Sequence, residues 1–189
     1  MTAHVVTPPA IEPVSLAEMK AHLRLTTGTE DDVVSGLIKA AREHVEQTTR
    51  RVLISQIWRL YLDDWPPGRI VQLHLSPVSA IQQILLYRLD GTPVILDPAD
   101  YALQRGAEPP RVKVSLGSGI PSAELAGIEV DFTAGYGPAA NDVPAPLRQA
   151  VKLLAAHWFE SREAASEQDF ANVPYGFDRL VMANRVPLL

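Results

Sequence analysis

A few residue groupings in this sequence could carry chemistry. His157 and Glu160 stand three apart, and Glu163 follows one turn later. On a helix that spacing can bind a metal or support acid–base work. A catalytic zinc takes three protein ligands, however, and His22 and His44 fall alone on other predicted helices, so a structural role is the favoured reading. Asp63 and Asp64 form a carboxylate pair. Neighbouring strand residues point to opposite faces, and before Trp65-Pro66-Pro67 the pair reads as a strand end and turn. Ser115, Ser118 and Ser122 lack the G-x-S-x-G elbow that exposes a nucleophile. Gly117-Ser118-Gly119 and Gly135-Tyr136-Gly137 lack phosphate-loop spacing, with no lysine after the second. Arg50, Arg51, Arg59 and Arg111 could meet phosphate. Arg50 and Arg51 read first as cations closing a helix C-terminus, and Trp58, Trp65 and Trp158 as core or interface anchors without a basic stripe beside them. No catalytic, cofactor-binding or metal residue is assigned. A metal-dependent hydrolase using His157, Glu160 and Glu163, and a weak nucleic-acid-binding module using the four arginines, stand as the alternatives to a structural protein.

The scaffold that must position any site is one domain, or a domain with an arm. The chain has 189 residues, 47% hydrophobic and 21% charged, which is a globular balance. Cysteine is absent, which excludes a disulfide scaffold, a thiolate nucleophile and Cys-ligated metal. A net charge of -5 argues against a whole-surface grip on nucleic acid. No stretch approaches the roughly 20 apolar residues of a membrane span, and residues 1–13 lack the charged and apolar regions of a signal peptide.

Residues 1–14 read as an extended lead-in. Ser15 and Glu18 have the spacing of a capping box and open a short helix with Leu16, Met19 and Leu23 on one face. A second box-like start at Thr29 leads to a helix whose Val33, Val34, Leu37, Ile38, Ala41 and Val45 hold one stripe. After Val52 the period changes to two. Runs at 56–62, 70–75, 81–87, 94–96, 101–103, 111–114 and 128–133 predict short antiparallel strands, with Asp90-Gly91 as a hairpin turn. Pro144 and Pro146 mark the start of a long helix bearing Leu147, Ala150, Val151, Leu154, Ala155 and Trp158. Residues 164–172 read as a linker. Residues 173–189 are too apolar for a free tail and too short for a core, and so read as a docking arm. The expected class is therefore α+β: a helical core of two N-terminal helices plus a long C-terminal helix, an inserted antiparallel β unit, and an extended arm. The expected division is a main domain over 1–163 (helices 15–51 and 146–163, β insertion 55–133) followed by linker and arm over 164–189.

The order of motifs adds a resemblance. Pro13-Val14-Ser15-Leu16-Ala17-Glu18-Met19-Lys20 is followed by the helix over 31–46, then by Leu75-Ser76-Pro77-Val78 and Ala134-Gly135-Tyr136-Gly137. Val143-Pro144-Ala145-Pro146-Leu147-Arg148 then runs to His157-Trp158-Phe159-Glu160-Ser161-Arg162-Glu163, and Val173-Pro174-Tyr175-Gly176-Phe177 closes the series. This resembles the head–tail connector (adaptor) family of long-tailed phages and gene transfer agents, over about residues 13–186.

The resemblance implies a ring, commonly of twelve copies, that joins the portal to a tail-side connector or terminator protein. DNA passes through the channel without specific binding, and no cofactor or membrane is involved. Such a protein is made in the bacterial cytoplasm and resides at the head–tail junction of the particle. The C-terminal segment is then similar to a docking arm that reaches the portal or a neighbouring subunit, with Val173, Pro174, Tyr175, Phe177, Leu180 and Val181 as expected contacts. Arg42, Glu46 and Arg162 are the polar candidates for the ring interface.

Overall fold

A computed structural model describes residues 2–115, 125–161 and 176–186. The chain is α+β, as expected, and its backbone divides into two compact units. One is mainly sheet and gathers residues 1–9, 55–135 and 186–189; the other is helical and gathers 10–54 and 136–185. The boundary differs from the reading of one domain with a β insertion, because residues 1–9 go with the strands.

The helical unit begins with α1 (Leu16–Leu23). Its Ser15 hydroxyl accepts from the Glu18 backbone N–H at 3.1 Å, as a capping box requires. The reciprocal half is absent: the Glu18 carboxylate turns instead to Arg148 and Lys152. Arg24 ends the helix in the left-handed region at φ 58°. α2 (Asp31–Thr49) starts one residue later than the box-like Thr29 suggests, with Glu30 as its N-cap. α3 (Ala145–Ser161) carries the apolar stripe expected of it. Val34, Ile38, Ala41 and Val45 of α2 close on Leu147, Ala150, Val151, Leu154 and Ala155 of α3, with Met19 of α1 and Val14 completing the core. Each large side chain fully buried there contributes about 1.5–3 kcal/mol. Val33 departs from the expected stripe and stands 47% exposed. α4 (Phe177–Met182), entered through Gly176 at φ 90°, packs on the same core.

Among the described residues the sheet unit holds eight strands in two antiparallel sheets: β1 (Thr2–Thr7), β2 (Gln56–Leu62), β3 (Ile70–Gln72), β4 (Val78–Tyr87), β5 (Pro93–Ile95), β6 (Tyr101–Gln104), β7 (Arg111–Val114) and β8 (Ile128–Ala134). The larger sheet has the order β1-β2-β8-β4-β5 and the smaller β3-β7-β6. β1 is the element the sequence reading took for a lead-in; it pairs with β2, Ala3 opposite Leu60 and Val5 opposite Trp58. The alternation of β8 puts Ile128, Val130, Phe132 and Ala134 on one face, where Leu60 and Leu62 of β2 and Ile84 and Leu86 of β4 meet them. Gly91 takes the positive φ (80°) of the predicted hairpin turn, and the Asp90 carboxylate accepts from Thr92 N–H at 2.9 Å.

Candidate assembly interface

His157 is half-buried and Glu160 exposed on α3, and Glu163 lies outside the described residues. Among the described residues no three His, Asp or Glu side chains come together as a metal site. Asp63 and Asp64 serve the local backbone: Asp63 accepts from Ala126 N–H and Asp64 from Trp65 N–H, each at 2.7 Å. Gly135-Tyr136-Gly137 is a structural turn. Gly135 sits at φ 130° and donates to the Pro77 carbonyl, and a Cβ on Gly137 would lie 2.2 Å from an Asp142 oxygen.

The four arginines do not form one basic surface. Arg50 is the left-handed cap of α2, and Arg51 donates to the Asn184 carbonyl at 3.0 Å. Arg111 on β7 donates to Gln104 at 2.9 Å. Arg59 on β2 grips Asp131 on β8 through two hydrogen bonds of 2.6 and 2.8 Å, and Gln83 on β4 adds a third at 2.8 Å. Arg59 also lies 2.8 Å from Glu129, a charge contact rather than an aligned hydrogen bond. β8 is thus buried on both faces, with one cation, Arg59 of the neighbouring strand, set between its two carboxylates. Burial pushes the Asp131 carboxyl up, but the hydrogen bonds from Arg59 and Gln83 and the Arg59 charge outweigh it, and its pKa lies below the ordinary value.

The polar candidates for the ring interface have a different occupation in this chain. Arg42 and Glu46 are buried, not displayed. Arg42 donates to Glu46 at 2.7 Å and to Glu12 at 2.8 Å, and the second Glu46 oxygen accepts from Leu53 N–H at 2.7 Å. Desolvation opposes the charge on Arg42, but Glu46 and Glu12 overcome it and raise its pKa. The cluster ties the lead-in at Glu12 and the chain after α2 to that helix. The sequence reading offered these charges to a neighbouring subunit, because i, i+4 spacing cannot show that another segment of the same chain covers them. Arg162 lies outside the described residues.

The arm is similarly revised. Val173, Pro174 and Tyr175 fall outside the described residues. Phe177 and Val181 are 2% exposed and belong to the helical core, with Leu180 packed against it. His44 of α2 meets the ring of Phe177 and, edge-on, that of Trp158, both at 6.0 Å. Those two core side chains anchor α4 to α2 and α3. Asp178, Arg179 and Met182 face outward, and Met182 is 70% exposed. A signal for these faces was present in the i, i+3, i+4 spacing of Phe177, Leu180 and Val181 with Asp178 and Arg179 between them, but reading the whole segment as an apolar arm passed over it.

A second open surface lies where the lead-in meets α1 and α2. Ile11, Glu12, Val14, Leu16, Ser35 and Ile38 line a shallow apolar groove of about 390 Å³. Ile11 is 45% exposed.

The helical unit carries internal ion pairs and leaves an apolar groove and the outward side of α4 open. The comparisons say what kind of protein this is. A family model for phage gp6-like head–tail connector proteins matches residues 13–87. Solved structures similar to this chain include one described as the neck of an empty GTA particle computed with C6 symmetry, at TM-score 0.84 and 30% identity. Another, described as the virion of a native gene transfer agent (GTA) particle, gives 0.82 and 31%. A third, the neck of a native GTA particle computed with C12 symmetry, gives 0.81 and 28%. Each match covers 100% of this chain and 97% of the other. No curated protein matches the sequence. The chain belongs to the head–tail connector family, and its role is structural.

Proposed function

We propose that this chain forms a cyclic ring in the neck of a phage-like particle, with the portal on one side and a tail-side component on the other. The observation that carries the reading is similarity over the full length to chains in gene transfer agent necks computed with C6 and C12 symmetry. Two further features support it. The open groove and the outward side of α4 give the subunit surfaces of different character. A ring requires such a heterologous pair of faces. A net charge of -5 suits a channel that DNA traverses without being held. No enzymatic activity is proposed.

We place the portal or neighbour contact of the C-terminal segment on Val173, Pro174 and Tyr175, together with the outward side of α4. Phe177 and Val181 instead hold that helix in place. The test is electron microscopy of the protein mixed with the portal encoded near it. A ring seated on the portal is the expected result. Monomers alone, with neither portal nor tail-side partner inducing a ring and none in purified particles, would overturn the reading.

A further inference from the structure

We infer that the outer edge of β1 is an assembly surface to which a neighbouring copy of this chain adds a strand. The inference rests on the ring reading above. It starts from a difference between the two edges of the larger sheet. β5 is three residues long, begins at Pro93, which has no N–H to offer, and is bracketed by Asp90 and Asp97. Shortness, proline and nearby charge are the devices that keep an edge from templating another strand. β1 carries none of them: it is six residues long, Thr-Ala-His-Val-Val-Thr, without charge, proline or glycine.

Among the described residues only one side of β1 is used. It pairs with β2 continuously from Thr2 to Val5, and among the described residues no strand pairs with its other side. In an antiparallel strand the residues between hydrogen-bonded pairs aim their N–H and C=O groups away from the partner. β1 therefore presents a row of unmatched backbone donors and acceptors. Val5 and Val6 beside them are 44% and 50% exposed. A bulge places Val6 without a partner in the ladder, which bends the end of the edge but leaves the run from Thr2 to Val5 open.

A second copy is the occupant that the observations favour. Similar chains occur in assemblies computed with C6 and C12 symmetry, so every copy has an identical neighbour on each side. Contacts around such a ring are heterologous, so β1 meets a segment other than β1 of the next copy. Pairing of β1 with β1 would give closed dimers.

Hydrogen exchange followed by mass spectrometry reads the backbone groups directly. On passing from subunit to ring, exchange in the peptide covering Thr2–Thr7 should slow at least about tenfold. The occupant is identified by photo-crosslinking. The chain has no cysteine, so Val6→Cys labelled with a benzophenone maleimide carries a single probe at a residue the ladder does not use. A covalent dimer of the chain, joined from residue 6 to a segment outside β1, is expected in the ring. Electron microscopy of the same samples separates the two failures. Where no ring forms, the ring reading fails and this inference with it. Where the ring forms but exchange at Thr2–Thr7 is unchanged, or the crosslink goes to another protein or to β1 itself, the inference alone is overturned.

Discussion

Arg42 shows how far a single side chain reaches in this chain. Its guanidinium is buried and meets three carboxylates, Glu12 from the lead-in and Glu43 and Glu46 from its own helix. Removing it by Arg42→Ala takes the opposite charge from the buried Glu46, whose other oxygen accepts from Leu53 N–H, and a broken buried pair of this kind costs about 3–5 kcal/mol. The expected outcome is a large fall in thermal midpoint, measured by circular dichroism, with the fold otherwise retained at low temperature. A change under about 1 kcal/mol would mean that water reaches the cluster. Asp131 makes a pH prediction. Its folded pKa is depressed below 3.8, so its stabilisation is fully present above that value and is lost as pH falls through the folded one. Asp131→Asn should therefore lower stability at neutral pH and flatten the loss of stability on acidification below pH 3.8. Chemical denaturation at a series of pH values checks this. A variant with an unchanged acid limb would show that the Arg59 contacts add nothing to the ionised form. Both roles were hidden in the sequence, where Arg42 and Asp131 look like ordinary charges in amphipathic elements.

The elements themselves were largely legible, because periodicity reports burial directly. The stripe of α3 and the alternation of β8 mark the two cores correctly. The reading failed where burial depends on what a neighbour covers. Val33 continues the α2 stripe in sequence yet faces out, and Thr2–Thr7 has no alternation that distinguishes an edge strand from a loop. α4 is the clearest case, since its apolar residues signalled a surface contact and in part form a core. Phe177→Ala should cost about 3–4 kcal/mol, as for an aromatic side chain removed from a packed interior. Met182→Ala, at an exposed position, should lie within about 0.5 kcal/mol of the parent. Equal small effects at both positions would place α4 outside the core. This contrast also decides how the portal contact is probed. Deleting residues 173–189 removes Phe177 and Val181 with the arm, so lost docking would be confounded with lost stability. Arg179→Glu or Met182→Asp alters only the outward side and should weaken docking while leaving the thermal midpoint in place.

At the scale of the whole molecule, net charge sets how the ring responds to salt. Every copy carries -5, so bringing copies together gathers like charge. The open surfaces offered for that contact are weakly charged: β1 has no charged residue, and the groove beside α1 is lined mainly by apolar and hydroxyl side chains with Glu12 as its one charge. Several charged side chains of the helical unit are already paired inside it, Arg42 with Glu12 and Glu46, and Arg148 and Lys152 with Glu18. Repulsion between copies then reaches about 30 Å at 0.01 M salt and shrinks to about 8 Å at 0.15 M. Ring formation should therefore become more favourable as salt rises over that range, in contrast to an assembly held by ion pairs. Mass photometry at fixed protein concentration measures the fraction in rings at each ionic strength. A fraction that falls with salt would mean that complementary charges hold the subunits together. Any affinity for duplex DNA should move the other way, weakening steeply as salt rises, because phosphate binding releases counterions. The two opposed slopes separate an assembly protein that lets DNA pass from one that grips it.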